Sequence, residues 1–154
     1  EAFRAEAIYS AQDVIACRPA HPLAGRRSLA LEDLVGYTWL VPYSRPSDRD
    51  VIVETFVAAD LEPPDRFIGS DAYRIGMNLL TANDFLLMTS PALVTSRLAR
   101  ETGGVRILPI EQPTVRRHAS LVTPTERPMT PAATALLAAV RDAAARFGKD
   151  ALTR

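Results

Sequence analysis

Residues Arg66 to Val94 read RFIGSDAYRIGMNLLTANDFLLMTSPALV, and this stretch switches twice between the period of a strand and that of a helix. Phe67-Ile68-Gly69 is a short apolar run that ends at Ser70. Tyr73, Met77 and Leu80 then recur at helical spacing, with Ile75 and Leu79 alongside. Asn83-Asp84 turns the chain into the apolar run Phe85 to Met88, and Ser90-Pro91 is a helix start with proline at the first helical position. The stretch therefore predicts strand, helix, strand, helix. Each helix would open just after a strand, where unpaired N–H groups and about half a positive charge suit an anionic group. On a parallel sheet two such corners lie on the same edge.

The flanks extend the alternation. Upstream, Thr38-Trp39-Leu40-Val41 is a strand stopped by Pro42, and Tyr43 to Asp48 is a polar loop. A helix capped by Ser47 or Asp48 should follow, pairing Ile52 with Phe56 and Val53 with Val57, and end near Leu61 before Pro63-Pro64. Leu29 to Val35 predicts a helical turn closed by Gly36. Asp13 to Arg18 is a buried strand, after which Pro19 and His21-Pro22-Leu23-Ala24 break regular structure. Downstream, the helix opened by Pro91 should run to Gly103-Gly104, and Val105 to Leu108 is a strand closed by Pro109. Arg116 to Thr123 alternates, with His118, Ser120 and Val122 on one side and Ala119, Leu121 and Thr123 on the other. Thr130-Pro131 opens the longest helix, expected to run to about Phe147, stop at Gly148 and pack through Leu136, Val140, Ala144 and Phe147. Strands alternating with helices predict an α/β protein with a mainly parallel sheet.

Composition sets the outer limits. The chain has 154 residues, 47% apolar and 23% charged, which is enough for one domain or two small lobes with a real core. Eighteen basic and eighteen acidic residues cancel, so no global field draws it to nucleic acid or to an anionic membrane. The apolar run from Ala132 to Val140 is too short to span a bilayer, and no signal pattern opens the chain. A single cysteine, Cys17, fits a reducing compartment. These features predict a soluble cytoplasmic domain. Glu1 to Glu6, charged and without an initiator Met, looks like the middle of a longer protein.

Several short motifs follow one another in a familiar order. Val14-Ile15-Ala16 precedes His21-Pro22-Leu23-Ala24, then come Leu31-Glu32-Asp33-Leu34 and the Trp39-Leu40-Val41 strand. Next are a helix with Glu54 and Phe56 followed by Pro63-Pro64, the Ser70 corner, and the closing Met129-Thr130-Pro131-Ala132 helix start. Over roughly residues 8–148 this resembles the effector-binding (co-inducer) domain of LysR-type transcriptional regulators. The resemblance implies a periplasmic-binding-protein-like (type 2) fold, an α/β architecture with a mainly parallel sheet and helices on both faces. It divides the chain into the end of a first lobe (1–18), a nearly complete second lobe (19–109), and a crossover returning a strand and helix to the first lobe (110–154). The winged helix-turn-helix and the start of the first lobe have no counterpart here. Thr81 to Ser90 also departs from the family's glycine-rich turn, which suggests a variant subgroup near members that answer to aromatic or sugar acids.

The resemblance implies a sensor: a small metabolite, often a carboxylate, binds between two lobes and shifts an oligomer on DNA. The effector-binding candidates are Tyr43, Ser44 and Arg45 in the loop after the Trp39 strand, Ser70 and Asp71 at the first corner, and Thr89 at the second. Arg45 is the natural countercharge for a carboxylate. Plainer roles compete at each position. Ser70 or Asp71 could simply cap a helix, the loop residues could be solvated, and Thr89-Ser90 could be a cap. Asp71 would have to turn from an acidic ligand or bind a hydroxyl. Arg74 suits the solvated face of its helix, His21 a structural turn, His118 a packed or surface position, and Cys17 and Trp39 the core. Two distant histidines and one cysteine give no metal spacing, and no nucleophile–base set or phosphate-cradling glycine loop is present. No metal, cofactor or catalytic residue is expected, and the protein is not expected to be an enzyme. The alternative reading is a solute-binding protein of a transport system with the same fold.

The partners implied are a small-molecule effector, further copies of the chain, and DNA only through a helix-turn-helix outside it. The Arg116–Thr123 strand and final helix are expected to lack sheet partners within the chain, leaving apolar surface that favours association. The Ser47–Leu61 helix is the candidate pairing face.

Overall fold

The computed structural model describes residues 2–151. Seven strands and five helices are assigned within them. The strands are β1 (Phe3–Gln12), β2 (Val14–Cys17), β3 (Thr38–Val41), β4 (Phe67–Gly69), β5 (Phe85–Thr89), β6 (Arg106–Ile107) and β7 (Arg116–Pro124). The helices are α1 (Pro46–Ala58), α2 (Tyr73–Ala82), α3 (Pro91–Val94), α4 (Arg97–Glu101) and α5 (Pro131–Ala151). The backbone divides into two compact units, one from Gln12 to Val115 and the other joining the residues up to Ala11 with those from Arg116 onward.

The Gln12–Val115 unit is built on a five-stranded sheet of order β4-β3-β5-β2-β6. β3 lies between two parallel neighbours, with Trp39 opposite Phe67 and Leu86, and Leu40 opposite Ile68 and Leu87. β2 pairs antiparallel with β5 and β6. Four strands thus share one direction and β2 opposes them, so the mainly parallel α/β sheet is a mixed one. The pairing of β2 assigns Val14–Cys17 to this sheet, whereas the sequence reading set the boundary after residue 18.

Side chains that are neighbours in the chain serve opposite faces, as the pleat requires. Trp39, Leu86, Met88, Ile15 and Cys17 join Ile52 and Phe56 of α1 in one core cluster. Leu40 joins Met77 and Leu80 of α2 and Ala99 of α4 in the other. The helical pairing of Ile52 with Phe56 is realised, both being fully buried, while Val57 is 59% exposed. Cys17 is buried as expected, and burial pushes its thiol pKa up to about 11.

Several element boundaries move. α1 starts at Pro46 with Arg45 at the N-cap and no side-chain cap, so neither Ser47 nor Asp48 caps it. It ends at Ala58, and Asp60 follows in the left-handed region. The single helix expected from Pro91 to Gly103 is two short ones, broken where the Ser96 hydroxyl restarts the backbone by accepting from Ala99 N–H. The turn before Gly36 is a 3-10 segment, Leu31–Leu34, and Gly36 takes φ 81. Ile75 lies outside the buried face of α2, 58% exposed.

In the second unit β1 and β7 form a two-stranded sheet. This corrects the expectation that the Arg116–Thr123 strand has no partner in the chain. The charged start concealed β1, in which Phe3, Ala5 and Ala7 are exposed along with Arg4, so no apolar side faces a core there. Glu6 accepts two hydrogen bonds from Arg141 of α5, at 3.0 and 2.6 Å, and the guanidinium holds its carboxyl below the usual range. Apolar surface is nevertheless exposed in this unit, at Phe3 (61%), Val122 (62%) and Leu136 (65%). The Thr130 hydroxyl accepts from Ala133 N–H at the start of α5. The helix continues through Gly148, which therefore does not stop it, and the expected packing of Phe147 lies outside the described side chains.

His21 takes the structural role expected of it. It is 3% exposed, Nδ1 accepts from Leu23 N–H at 3.1 Å, and the ring meets Tyr37 at 4.8 Å. Burial holds the imidazole below its ordinary pKa of 6.5, against the pull of Asp84.

Two outcomes follow from this packing. Phe56→Ala, at a fully buried site, should cost about 3–5 kcal/mol in urea unfolding, and Val57→Ala within about 0.5 kcal/mol. Because the folded pKa of His21 is lowered, its stabilising effect is complete above about pH 6.5 and is lost as pH falls through the folded value. The urea midpoint should drop between about pH 7.5 and 5.5. His21→Asn, which keeps an acceptor for Leu23 N–H, should flatten that drop; an unchanged slope would mean that another group titrates.

Candidate functional site

Parallel strands in register end together. Val41 of β3 faces Gly69 of β4, and β5 lies on the other side of β3 and runs the same way. The loops leaving all three strands therefore open on one edge of the sheet, where α/β proteins bind ligands. A cavity of about 60 Å³ lies there. β3 and its following loop supply Leu40, Val41, Pro42 and Arg45, the β4 corner supplies Ser70, and β5 supplies Leu87 and Thr89. Tyr73, Gly76 and Met77 of α2 and Leu93 of α3 complete its lining.

Of the candidate residues, Arg45, Ser70 and Thr89 line this cavity together. The mixed lining has an apolar floor and a few polar groups, the usual make-up of a small-molecule site. Sequence reasoning did not single out Tyr73, Met77, Leu87 and Leu93, because an apolar residue at helical or strand spacing reads as core. Gly76 was the one signal available, an isolated glycine inside a helical pattern.

Ser70 does not cap α2. That helix begins at Tyr73 after Ala72, without a side-chain cap. Ser70 instead extends the β ladder, its N–H donating to Val41 C=O at 3.0 Å, and its hydroxyl donates to Ala72 C=O at 3.3 Å. Ser90 occupies the N-cap position of α3 without a side-chain hydrogen bond.

Arg45 is held from behind. Its Nε lies 3.6 Å from Oδ2 of Asp48, a residue 1% exposed, and its carbonyl accepts from Asp48 N–H at 3.1 Å. A cation at a helix N-terminus opposes the macrodipole, and an acidic side chain in the first turn offsets this.

Tyr43, Ser44 and Asp71 do not line the cavity but join its two bordering loops. Asp71 Oδ1 accepts from Ser44 N–H at 2.9 Å and from the Ser44 hydroxyl at 2.8 Å. The Ser44 backbone N–H and then its hydroxyl hold the Asp71 carboxyl below its ordinary value of 3.8. Asp71 is thus engaged with the neighbouring loop. Tyr43 is 72% exposed, and its ring covers Gly69 so closely that a Cβ there would collide with it. Arg74 pairs with Glu101 at 3.8 Å on the exposed side of α2. No cluster of potential metal ligands occurs among the described residues. None of their helices is long and apolar enough to cross a membrane.

Comparisons with known proteins agree on one family. Residues 1–145 match the model described as LysR substrate binding domain. The HTH-type transcriptional regulator GbpR of Azospirillum brasilense is 28% identical over 142 residues, covering 92% of this chain and 41% of that protein. The chain therefore spans under half the length of this relative. Among solved structures, the AmpR effector domain of Pseudomonas aeruginosa superposes with a TM-score of 0.66 at 24% identity, covering 97% of this chain and 68% of that one. The regulatory domain of Synechocystis PCC6803 CcmR, solved with 2-PG, gives 0.68 at 13% identity, over 92% and 67% of the two chains. The QuiR effector-binding domain, solved with shikimate, gives 0.61 at 21% identity, over 96% and 66%.

The loop contact makes a direct prediction. Asp71 is ionised and bonded above its lowered pKa, so the Ser44–Asp71 contact is present at neutral pH and lost as pH falls through that value. Ser44→Ala removes the hydroxyl and should raise the Asp71 pKa toward 3.8, read by carboxyl NMR titration. An unmoved pKa would show that the hydroxyl does not hold the carboxylate.

Proposed function

The chain belongs to the LysR substrate-binding domain family, and on that premise we propose that it is the ligand-sensing part of a transcriptional regulator that answers to a small acidic metabolite. The observation that carries this reading is the meeting of Arg45, Ser70 and Thr89 on one apolar-lined cavity at the ends of three parallel strands. Arg45 supplies a planar cation for a carboxylate, and Ser70 and Thr89 supply hydroxyls that either donate or accept. The apolar lining excludes water and strengthens each polar contact.

Ser44, Asp71 and Tyr43 complete the proposed site as its rim. With Asp71 tied to Ser44, its charge is turned to a neighbour and the two loops are joined. A ligand that bonds Arg45 and Ser70 together bridges the same two loops, and so favours whichever arrangement keeps them close. It changes the regulator only to the extent that it binds that arrangement better than the alternative. LysR-type regulators are not enzymes, and this site needs no catalytic group. A helix-turn-helix elsewhere in the protein would carry the DNA contact, as the description of GbpR suggests, and further copies of the chain would complete the regulator in the cytoplasm.

A thermal-shift screen of small carboxylates on the full-length protein tests the proposal. A true effector should raise the melting temperature in proportion to the logarithm of its concentration over its Kd. Arg45→Ala and Ser70→Ala should each weaken binding roughly 10- to 100-fold, equivalent to ~1.5–3 kcal/mol for a hydrogen bond to a charged group. A shift that survives both substitutions places the ligand elsewhere.

A further inference from the structure

Gly76 is the fourth residue of α2, where glycine is a poor choice. A glycine in a helix interior leaves the unfolded chain freer and buries no side chain, which makes the helix less stable than with alanine. Such a residue normally answers a need of the backbone or of the packing. Gly76 has neither. It is absent from the glycines with positive φ, and its N–H donates to Ala72 C=O at 2.9 Å in ordinary helical fashion. A Cβ built on it meets no heavy atom within 4 Å. The contrast with Gly69 is sharp, because there the Tyr43 ring occupies the place a Cβ would take.

What lies before Gly76 is the cavity. Tyr73, Gly76 and Met77 are one face of one helical turn, and all three line it. A Cβ at position 76 would stand in open space on the helix that forms this wall. We propose that Gly76 is a specificity-determining residue: its bare backbone is the surface against which the body of the ligand rests, so it sets the size of ligand accepted. This inference rests on the cavity being the effector site. Around the bare backbone are the Tyr73 ring, Met77, Leu87 and Leu93, while Arg45, Ser70 and Thr89 provide the polar contacts. The ligand class that suits this lining is a carboxylate carrying a compact apolar body, part of which stands outside the enclosed 60 Å³. Its carboxylate would meet Arg45 and its ring would lie on the backbone of α2.

The experiment is a graded series of acids with one head group: acetate, isobutyrate, cyclohexanecarboxylate and benzoate. Gluconate serves as a polyhydroxylated comparator. Binding is followed by calorimetry and by thermal shift on the full-length protein, in the wild type, Gly76→Ala and Gly76→Leu. In the wild type, affinity should rise from acetate to the ring acids and exceed that for gluconate. Gly76→Ala should raise the melting temperature of the ligand-free protein, since it restores a helix former, yet lower ring-acid affinity at least threefold. Gly76→Leu should lower ring-acid affinity to the level of acetate. Opposite signs for stability and affinity in the alanine variant are what a merely structural glycine cannot produce.

Ring acids that bind all three proteins equally, while Arg45→Ala abolishes binding, would overturn the role of Gly76 and leave the effector site standing. Gluconate binding more tightly than benzoate would overturn the apolar ligand class. No binding by any acid would overturn both this inference and the acidic-effector reading. If Gly76→Leu fails to fold, the alanine variant decides alone.

Discussion

Strand β3 is buried on both faces and paired in parallel on both edges, and much of the Gln12–Val115 unit follows from that constraint. Trp39 and Leu40 are consecutive, so one must enter each core. A parallel neighbour cannot be reached by a hairpin; it needs a crossover, and a helix packed on the sheet is the usual one. The chain makes two such crossovers, β3 to β4 through α1 and β4 to β5 through α2. Because α1 takes the Trp39 face and α2 the Leu40 face, helices cover both sides of the sheet. The cavity lies at the carboxyl ends of these three strands, where the loops leaving β3, β4 and β5 come together.

Much of this was legible because proline and glycine punctuate the chain. Pro42, Pro63-Pro64 and Pro91 end or open elements, and Gly36 sits in the left-handed conformation its position demands. The spacing of Ile52 and Phe56, and of Met77 and Leu80, gave the buried helix faces directly. What the sequence hid was pairing. Nothing local says that Val14–Cys17 runs against its neighbours, or that Phe3–Gln12 is the partner of Arg116–Pro124, because strand pairing is decided by residues far apart in the chain. Caps were misplaced for a related reason. Ser47, Asp48 and Ser70 have the right chemistry for an N-cap, but Pro46 fixes the first turn of α1 and the β ladder retains Ser70.

The candidate site shows the same division between chemistry and placement. Residue type, position after a strand and the family resemblance together selected Arg45, Ser70 and Thr89, which line the cavity, and also Tyr43, Ser44 and Asp71, which form its border. The two acidic groups nearby are both engaged, Asp48 behind Arg45 and Asp71 with Ser44. That engagement keeps two carboxylates beside a proposed anion site without setting them against the ligand. A sequence displays the charges; only the fold shows which way each is turned.

The seat of Tyr43 on Gly69 carries a consequence for how this protein can change over time. The ring uses the volume that any side chain at position 69 would need. Enlarging residue 69 first would push the exposed ring aside and end its cover of the β4 backbone. Shrinking residue 43 first opens the space and makes a later alanine at 69 acceptable. The two positions are therefore coupled: a side chain at 69 disturbs the ring only while the ring is there. In a chain without the tyrosine, position 69 would be free of that demand for glycine.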